Sequence, residues 1–396
     1  MGQRLVWIVF DSLGVGSLPD ATEFGDEGAN TLLSVAGAVP DFACPNLERL
    51  GLGRLGRFPG ISDHGDGLLA GSYGRCAERA MGKDTITGHW EMAGIEVTKP
   101  FHTFTTHGFP KAFMDRFERE SGHGWMCNFA ASGTQIINEY GEEHRRTGKL
   151  IVYTSGDSVF QIAAHEQTVP LGELYRVCAV ARGICDDYGV ARVIARPFVG
   201  EANGTFTRTY NRRDYAVAPP HHSVLDHLIE AGIPVHGVGK IADIFNNQGI
   251  STKVKTKGNR DGMAKTLEAL HDPSSRLIYT NLVDFDSEYG HRRNAEGYAR
   301  AMMEADDDLS GIMTAMKQDD LMLITADHGN DPCWPGSDHT REYIPVLAYS
   351  PSSRFRPGTD LGTRTSFADQ GRTVADFFGV KPTRIGESFL GEVFAA

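Results

Sequence analysis

The sequence has no CxxC pair, no excess of basic residues and no apolar run of the roughly 20 residues that a membrane span needs. Its cysteines, Cys44, Cys76, Cys127, Cys178, Cys185 and Cys333, are scattered, with no histidines at zinc-finger spacing. A disulfide framework and a thiolate zinc module are thereby excluded, and the expected compartment is the reducing cytoplasm. The 39 Lys+Arg against 51 Asp+Glu leave a formal charge of −12. No basic stripe is available for a nucleic acid or an anionic membrane surface. The first apolar run, Leu5–Phe10, is cut by Asp11 and is too short for a signal peptide. An anionic substrate is not excluded, because a divalent cation reverses the sign locally.

What is present is the composition of a globular protein, 40% hydrophobic and 23% charged. A chain of 396 residues calls for one large domain or two. Apolar runs at Leu5–Phe10, Ile233–Val238, Leu277–Val283, Leu321–Thr325 and Ile344–Tyr349 have the character of buried parallel strands. Helical patterns at Ser223–Ala231, Gly262–Leu270, Ala295–Met316 and Phe367–Phe378 lie among them. This alternation predicts a doubly wound α/β sheet. Between Pro100 and Pro219-Pro220 the rhythm breaks. That segment has strands at Lys149–Thr154 and Ala191–Ala195, one helix at Leu171–Asp187 and a polar loop at Gly141–Gly148. The expected organisation is a core of residues 1–100 and 221–396 with an inserted domain over 101–220. Gly51-Leu-Gly53-Arg-Leu-Gly56 fits a dinucleotide fingerprint, but it follows a helical stretch, Pro45–Leu50, where the fingerprint needs a strand. It reads as a helix end and turn.

Three of the strands end in acids: Asp11 after the first, Asp284 and Asp286 after the third, Asp327 after the fourth. Open α/β sheets bind ligands beyond the carboxyl ends of their strands. Convergent carboxylates there need a cation to neutralise them. His291 follows Asp286, and His328 and His339 follow Asp327. Asp11, Asp286, His291, Asp327, His328 and His339 thus form an oxygen and nitrogen ligand pool sufficient for two divalent ions of the Mn, Zn or Fe kind. Alternation places Asp284 inside its strand, in a structural role. Asp331 and Asp338 read as turn or supporting groups.

A nucleophile is sought in Met81–Glu91, a polar stretch leading into a helical pattern. Its Thr85 and Thr87 both stand at the junction, where a threonine usually caps the helix. A hydroxyl aimed at metal ions is activated as a nucleophile, and a helix N-terminus favours the phosphate it would receive. Residue chemistry does not choose between the two threonines.

Four longer segments stand out: Asp11-Ser-Leu-Gly-Val-Gly16, Gly82-Lys-Asp-Thr85-Ile-Thr-Gly-His-Trp-Glu91, Asp284-Phe-Asp286 with Tyr289-Gly-His291-Arg-Arg293, and Thr325-Ala-Asp327-His328-Gly-Asn-Asp331 with Asp338-His339-Thr-Arg-Glu342. Together they resemble the phosphopentomutases of the alkaline phosphatase superfamily. The likeness extends into the insertion, over Tyr153–Glu166 and Arg192–Gly200. It implies an alkaline-phosphatase-like doubly wound core with a smaller inserted α/β cap. It implies two divalent ions, usually Mn2+, one held by Asp286, His291 and His339 and the other by Asp11, Asp327 and His328. It selects Thr85 as the phosphate carrier. Ser155, Asp157, Val159 and Arg192 in the cap, and Lys240 in the core, match sugar-phosphate contacts, although Arg196 lies close to Arg192. The implied reaction interconverts ribose 1-phosphate and ribose 5-phosphate, and the deoxy pair, after priming by a bisphosphate such as glucose 1,6-bisphosphate. The expected enzyme is a monomer acting on small pentose phosphates, with no nucleic-acid or membrane partner. Three other possibilities share this ligand set: the longer, serine-dependent phosphoglycerate mutases, a plain phosphatase or phosphodiesterase, and a non-enzymatic metal-binding protein on the same core.

Overall fold

The computed structural model describes residues 2–65, 67–156 and 158–395. The chain divides into two compact units, Met1–Lys99 with Pro219–Ala396, and Pro100–Ala218. Before the insertion run strands β1 (Leu5–Phe10) and β2 (Ser72–Cys76). Within it run β3 (Trp125–Ala130), β4 (Leu150–Thr154), β5 (Val159–His165), β6 (Arg192–Val199), β7 (Thr207–Arg208) and β8 (Arg213–Ala216). After it come β9 (Val235–Val238), β10 (Thr252–Val254), β11 (Leu277–Leu282), β12 (Leu321–Thr325), β13 (Ile344–Tyr349) and β14 (Asp360–Arg364).

The larger unit is built on one eight-stranded sheet in the order β10-β9-β11-β1-β12-β13-β2-β14. Strands β10, β9, β11, β1 and β12 are mutually parallel. Leu5 to Phe10 are all fully buried, which is why the run is apolar without alternation. The helices Asn259–His271 and Ala295–Ala315 pack together, and the first also covers β11. The fold class expected from the strand–helix rhythm is therefore observed.

Strand β13 departs from its expected direction. It runs antiparallel to both β12 and β2. A parallel return needs a crossover helix. The segment between β12 and β13 contains no helix and is occupied by Asp327 to Glu342. Gly51 caps the helix Pro45–Leu50 with φ 107°, the left-handed conformation of a helix end, so the fingerprint-like motif is a turn.

The smaller unit has a six-stranded sheet, with β3-β4-β5-β6-β7 in order and β8 beside β6. Two apolar clusters pack within it, one around Phe113, Phe160 and Val177 and the other around Ile137, Tyr153 and Phe198. Among its described residues, three helices occur where one was expected: Lys111–Ser121, Gly133–Thr147 and Leu171–Asp187. The supposed loop Gly141–Gly148 is the last part of the second of these. Its buried face carries Ile137, Gly141 and His144, while Glu142, Glu143 and Arg146 are exposed. Helical spacing is kept, but a glycine and a histidine stand where an apolar stripe would have revealed it.

Arg341 ties the β12–β13 segment to the approach to Thr85. It is 1% exposed and donates to Glu78 Oε2 at 2.7 Å, to the carbonyls of Ala80 and Gly82, and to Asp20. Burial pushes the Glu78 carboxyl well above its ordinary pKa even against the charge of Arg341. Arg341→Met should cost about 3–5 kcal/mol near neutral pH, read from denaturant midpoints, because it strands a buried carboxylate. A carboxyl raised in the folded state contributes stability at low pH that is lost as pH rises. The deficit should therefore shrink in acid as Glu78 takes up a proton. A deficit independent of pH would assign the loss to packing alone.

Candidate metal centre and nucleophile

The three neighbouring strands β11, β1 and β12 deliver their acids to one end of the sheet. Asp11 and Asp327 are fully buried and Asp286 is 5% exposed. Among the described residues, Asp11, Asp327 and His328 offer ligand atoms within 4.8 Å of one another, and so do Asp286, His291 and His339. His328 Nε2 lies 3.5 Å from Asp11 Oδ1 and 3.4 Å from Asp327 Oδ2. His291 and His339 place their Nε2 atoms 3.3 and 3.4 Å from the two Asp286 oxygens, and 3.2 Å from each other. The rings of His328 and His339 stack at 3.9 Å, which brings the two groups side by side.

The donor set fits divalent cations. Asp11 Oδ1 and Asp327 Oδ2 are buried without a hydrogen-bond partner. Such orphaned carboxylate oxygens are costly unless a cation receives them. His328 Nδ1 donates to Gly329 O at 3.1 Å, and His291 Nδ1 donates to Ser337 O at 2.7 Å. A carbonyl only accepts, so each proton sits on Nδ1 and each Nε2 lone pair is turned towards the acids. The charges are in tension. Burial, then Asp327 and Asp286, pushes the Asp11 carboxyl well up. Burial also works against ionised Asp286, yet His339 and His291 draw it well below the usual range. Asp327 is lowered too, with His328 and His89 outweighing burial.

The two threonines differ in what they touch. Asp84 is the N-cap of the helix Thr85–Met92, accepting from Ile86 N and Thr87 N. Thr87 Oγ1 is taken up by Asp84 Oδ2 at 2.6 Å. Thr85 Oγ1 instead lies 3.2 Å from His328 Nε2. Neither threonine is the cap. Gly88 lets this helix lie against the β12 end: a Cβ there would fall 1.9 Å from the Asp327 carbonyl oxygen. Gly88→Ala should therefore push Thr85 out of place and lower kcat by about 100-fold. Unchanged kcat in the folded variant would contradict this packing role.

Lys240 follows β9, begins the short helix Ile241–Ile244, and its charge acts on Asp11. Within the smaller unit, Val159 pairs in register with Arg192, and Ser155 directly follows β4. Since β4 and β5 are antiparallel and β5 and β6 parallel, the three residues share one end of that sheet. Asp157 lies outside the described residues. Arg196 donates to Gln161 Oε1 at 3.1 Å, and burial with nearby Arg212 lowers its pKa to about 10.

Four supporting residues escaped the sequence analysis. His89, fully buried, donates from Nδ1 to Thr85 O at 2.9 Å and stands 3.1 Å from Asp327 Oδ2. Asn281 donates to Asp11 Oδ2 at 2.9 Å and Asn330 to Asp286 Oδ1 at 2.8 Å. Ser12 N donates to Asp327 Oδ1 at 3.0 Å. The usable signal was Asn281, a polar residue inside a fully buried strand. Asp284 proves to lie beyond β11, not within it. It accepts from Asn259 N and so holds the start of the helix Asn259–His271. The π-helical turn Phe285–Gly290 that follows carries Asp286 towards the cluster.

The sheet, the clustered acids and imidazoles, and a family match together define the class. The model of the Metalloenzyme superfamily matches residues 3–382. The fold is also that of PH0037 from Pyrococcus horikoshii, with TM-score 0.50 and 14% identity over 96% of this chain and 98% of that one. The protein is a member of the Metalloenzyme superfamily, built on a doubly wound α/β sheet. The phosphopentomutase of Clostridioides difficile (strain 630) is 50% identical over 99% of this chain and 100% of its own length. That of Anaeromyxobacter sp. (strain Fw109-5) is 52% identical over 99% of both. The chain belongs to the phosphopentomutase family.

Proposed function

We propose that the enzyme interconverts α-D-ribose 1-phosphate and D-ribose 5-phosphate, and the 2-deoxyribose pair, through a phosphothreonine at Thr85. The observation that carries this is Thr85 Oγ1 beside His328 Nε2, at the edge of the six acids and imidazoles. Asp11, Asp327 and His328 would hold one divalent ion, and Asp286, His291 and His339 a second. Such ions, when bound, neutralise phosphoryl oxygens and favour an alkoxide. A ligand set of carboxylates and imidazoles without thiolate accommodates Mn2+.

Thr85 sits at a helix N-terminus, where backbone N–H groups favour the phosphate it carries. Asp84 holds that terminus, and His89 grips the Thr85 carbonyl, so the hydroxyl is fixed before substrate arrives. In the first transfer, the bond from phosphorus to Thr85 Oγ1 breaks. A bond to the substrate's free hydroxyl oxygen forms, and the hydroxyl proton is released. The pentose 1,5-bisphosphate then presents its other phosphate, which returns to Thr85. A bisphosphate primer such as glucose 1,6-bisphosphate charges the first Thr85. Lys240, and Ser155, Asp157, Val159 and Arg192, are assigned to the sugar phosphate. The working form is assigned to a monomer in a reducing cytoplasm. Two observations are consistent with that compartment: the cysteines are free, and no helix of the described residues is long and apolar enough to cross a membrane.

Phosphorus NMR tests the proposal. Ribose 1-phosphate with Mn2+ and a trace of glucose 1,6-bisphosphate should give ribose 5-phosphate. Stoichiometric release of inorganic phosphate without the isomer would make the protein a phosphatase instead.

A further inference from the structure

A third group of ligand atoms lies apart from the six already described. His222, His227 and Glu230 each offer one, all within 4.8 Å of one another. His227 and Glu230 stand three residues apart on the helix Val224–Glu230, so they share a face. His222 comes just before the helix cap Ser223, and its Nδ1 is 2.9 Å from Glu230 Oε1. His227 is 5% exposed and donates from Nδ1 to Lys381 O at 3.0 Å. That bond leaves the Nε2 lone pair for a ligand, the arrangement usual for metal-bound histidine.

A second, independent observation comes from the neighbour. His221 Nε2 is buried with no hydrogen-bond partner. His221, His222 and His227 line a cavity of about 270 Å3 with Lys381, Pro382 and Arg384.

We propose that His222, His227 and Glu230 bind one borderline transition-metal ion of the Zn2+ class, with water completing its shell. Two imidazoles and one carboxylate suit Zn2+, Co2+ or Ni2+ better than the hard Mg2+. Lys381 and Arg384 add positive charge at the cavity, and Glu230, 2.9 Å from His222 Nδ1, supplies the one carboxylate of the ligand group. The ion fastens the segment His221–Glu230 to the loop Lys381–Arg384, through the existing bond from His227 to Lys381 O. It is a structural clamp in the larger unit, independent of the phosphoryl chemistry.

The test uses the Mn2+-loaded full chain, titrated with Zn2+ near neutral pH and dialysed before metal analysis. His222→Ala and Glu230→Gln change exposed side chains and leave the fold intact. The wild type should take up about one Zn2+ per chain while keeping its Mn2+, and each variant should lack that ion. Zn2+ should raise the melting temperature of the wild type and of neither variant. Mutase turnover with Mn2+ should be the same in all three. Zn2+ that only replaces Mn2+, or that binds the variants equally, overturns the proposal. So does a thermal shift produced by inorganic phosphate and removed by Arg384→Gln without zinc uptake, which would assign the cavity to an anion.

Discussion

Thr85→Val should yield a folded, metal-replete protein that cannot be phosphorylated by glucose 1,6-bisphosphate. Its mutase turnover should fall by at least about 10⁴-fold, because the covalent carrier is gone and not merely weakened. Valine keeps the branched shape of threonine, so the helix Thr85–Met92 keeps its place. The substitution takes away the hydroxyl that faces His328 Nε2 and leaves the Asp84 cap intact. Thr87→Val is the informative control. It removes a 2.6 Å bond to the Asp84 cap, which should cost about 1 kcal/mol of stability while phosphorylation persists. Mass spectrometry of the labelled protein decides between the two. Phosphate found on Thr87, or on no residue, would end the case for Thr85.

Asp327→Asn should lose about one divalent ion per chain and most of its activity, and its loss of stability should be much larger with metal than without. Asp11 and Asp327 are both fully buried, and each carries an oxygen with no hydrogen-bond partner. Asp11 is raised by burial and then by Asp327. With chelator present, relief of that repulsion is offset by loss of the His328 and His89 partners that hold Asp327 ionised, so the apoprotein melting temperature should differ from that of the wild type by no more than about 2–4 °C. With Mn2+ saturating, a clear deficit should open, because the wild type gains binding free energy that the variant lacks. An amide can still accept from Ser12 N, which keeps the loop in place. Plasma emission spectrometry and paired melting curves supply the readings. An unchanged ion count, or the same melting difference in both conditions, would count against Asp327 as a ligand.

Legibility in the sequence followed burial and periodicity. Leu5–Phe10 and Leu321–Thr325 were readable to the residue, since strands buried on both faces are continuous apolar runs. The helix Leu171–Asp187 was equally plain, opening directly after Pro170. Strand β2 was not readable: Ser72, Gly74 and Cys76 face the interior, and small side chains leave no hydrophobic signature. The direction of β13 depends on a connection without a helix, which apolar content does not encode. Within the site, the acids and imidazoles stood out because they follow strand ends. His89 and Asn281 did not, because a polar residue inside an element looks the same whether it serves a core or a ligand. The choice of Thr85 over Thr87 came from resemblance. The coordinates give it a physical reason, since Asp84 engages one hydroxyl and leaves the other to face His328.

The position of β1 has a consequence for how the protein is made. It leaves the ribosome well before both of its neighbours, β11 and β12, which lie far downstream. Asp11 is bonded to a residue 270 positions later, and Ser12 to one 315 positions later. Throughout that interval a strand of six apolar residues has no partner on either edge. The smaller unit, by contrast, draws its sheet from one continuous stretch, Pro100–Ala218, and can close while translation continues. Birth order thus sets the hazard: a nascent chain halted before Leu277 should carry a protease-resistant unit at Pro100–Ala218 and a sticky, chaperone-seeking β1.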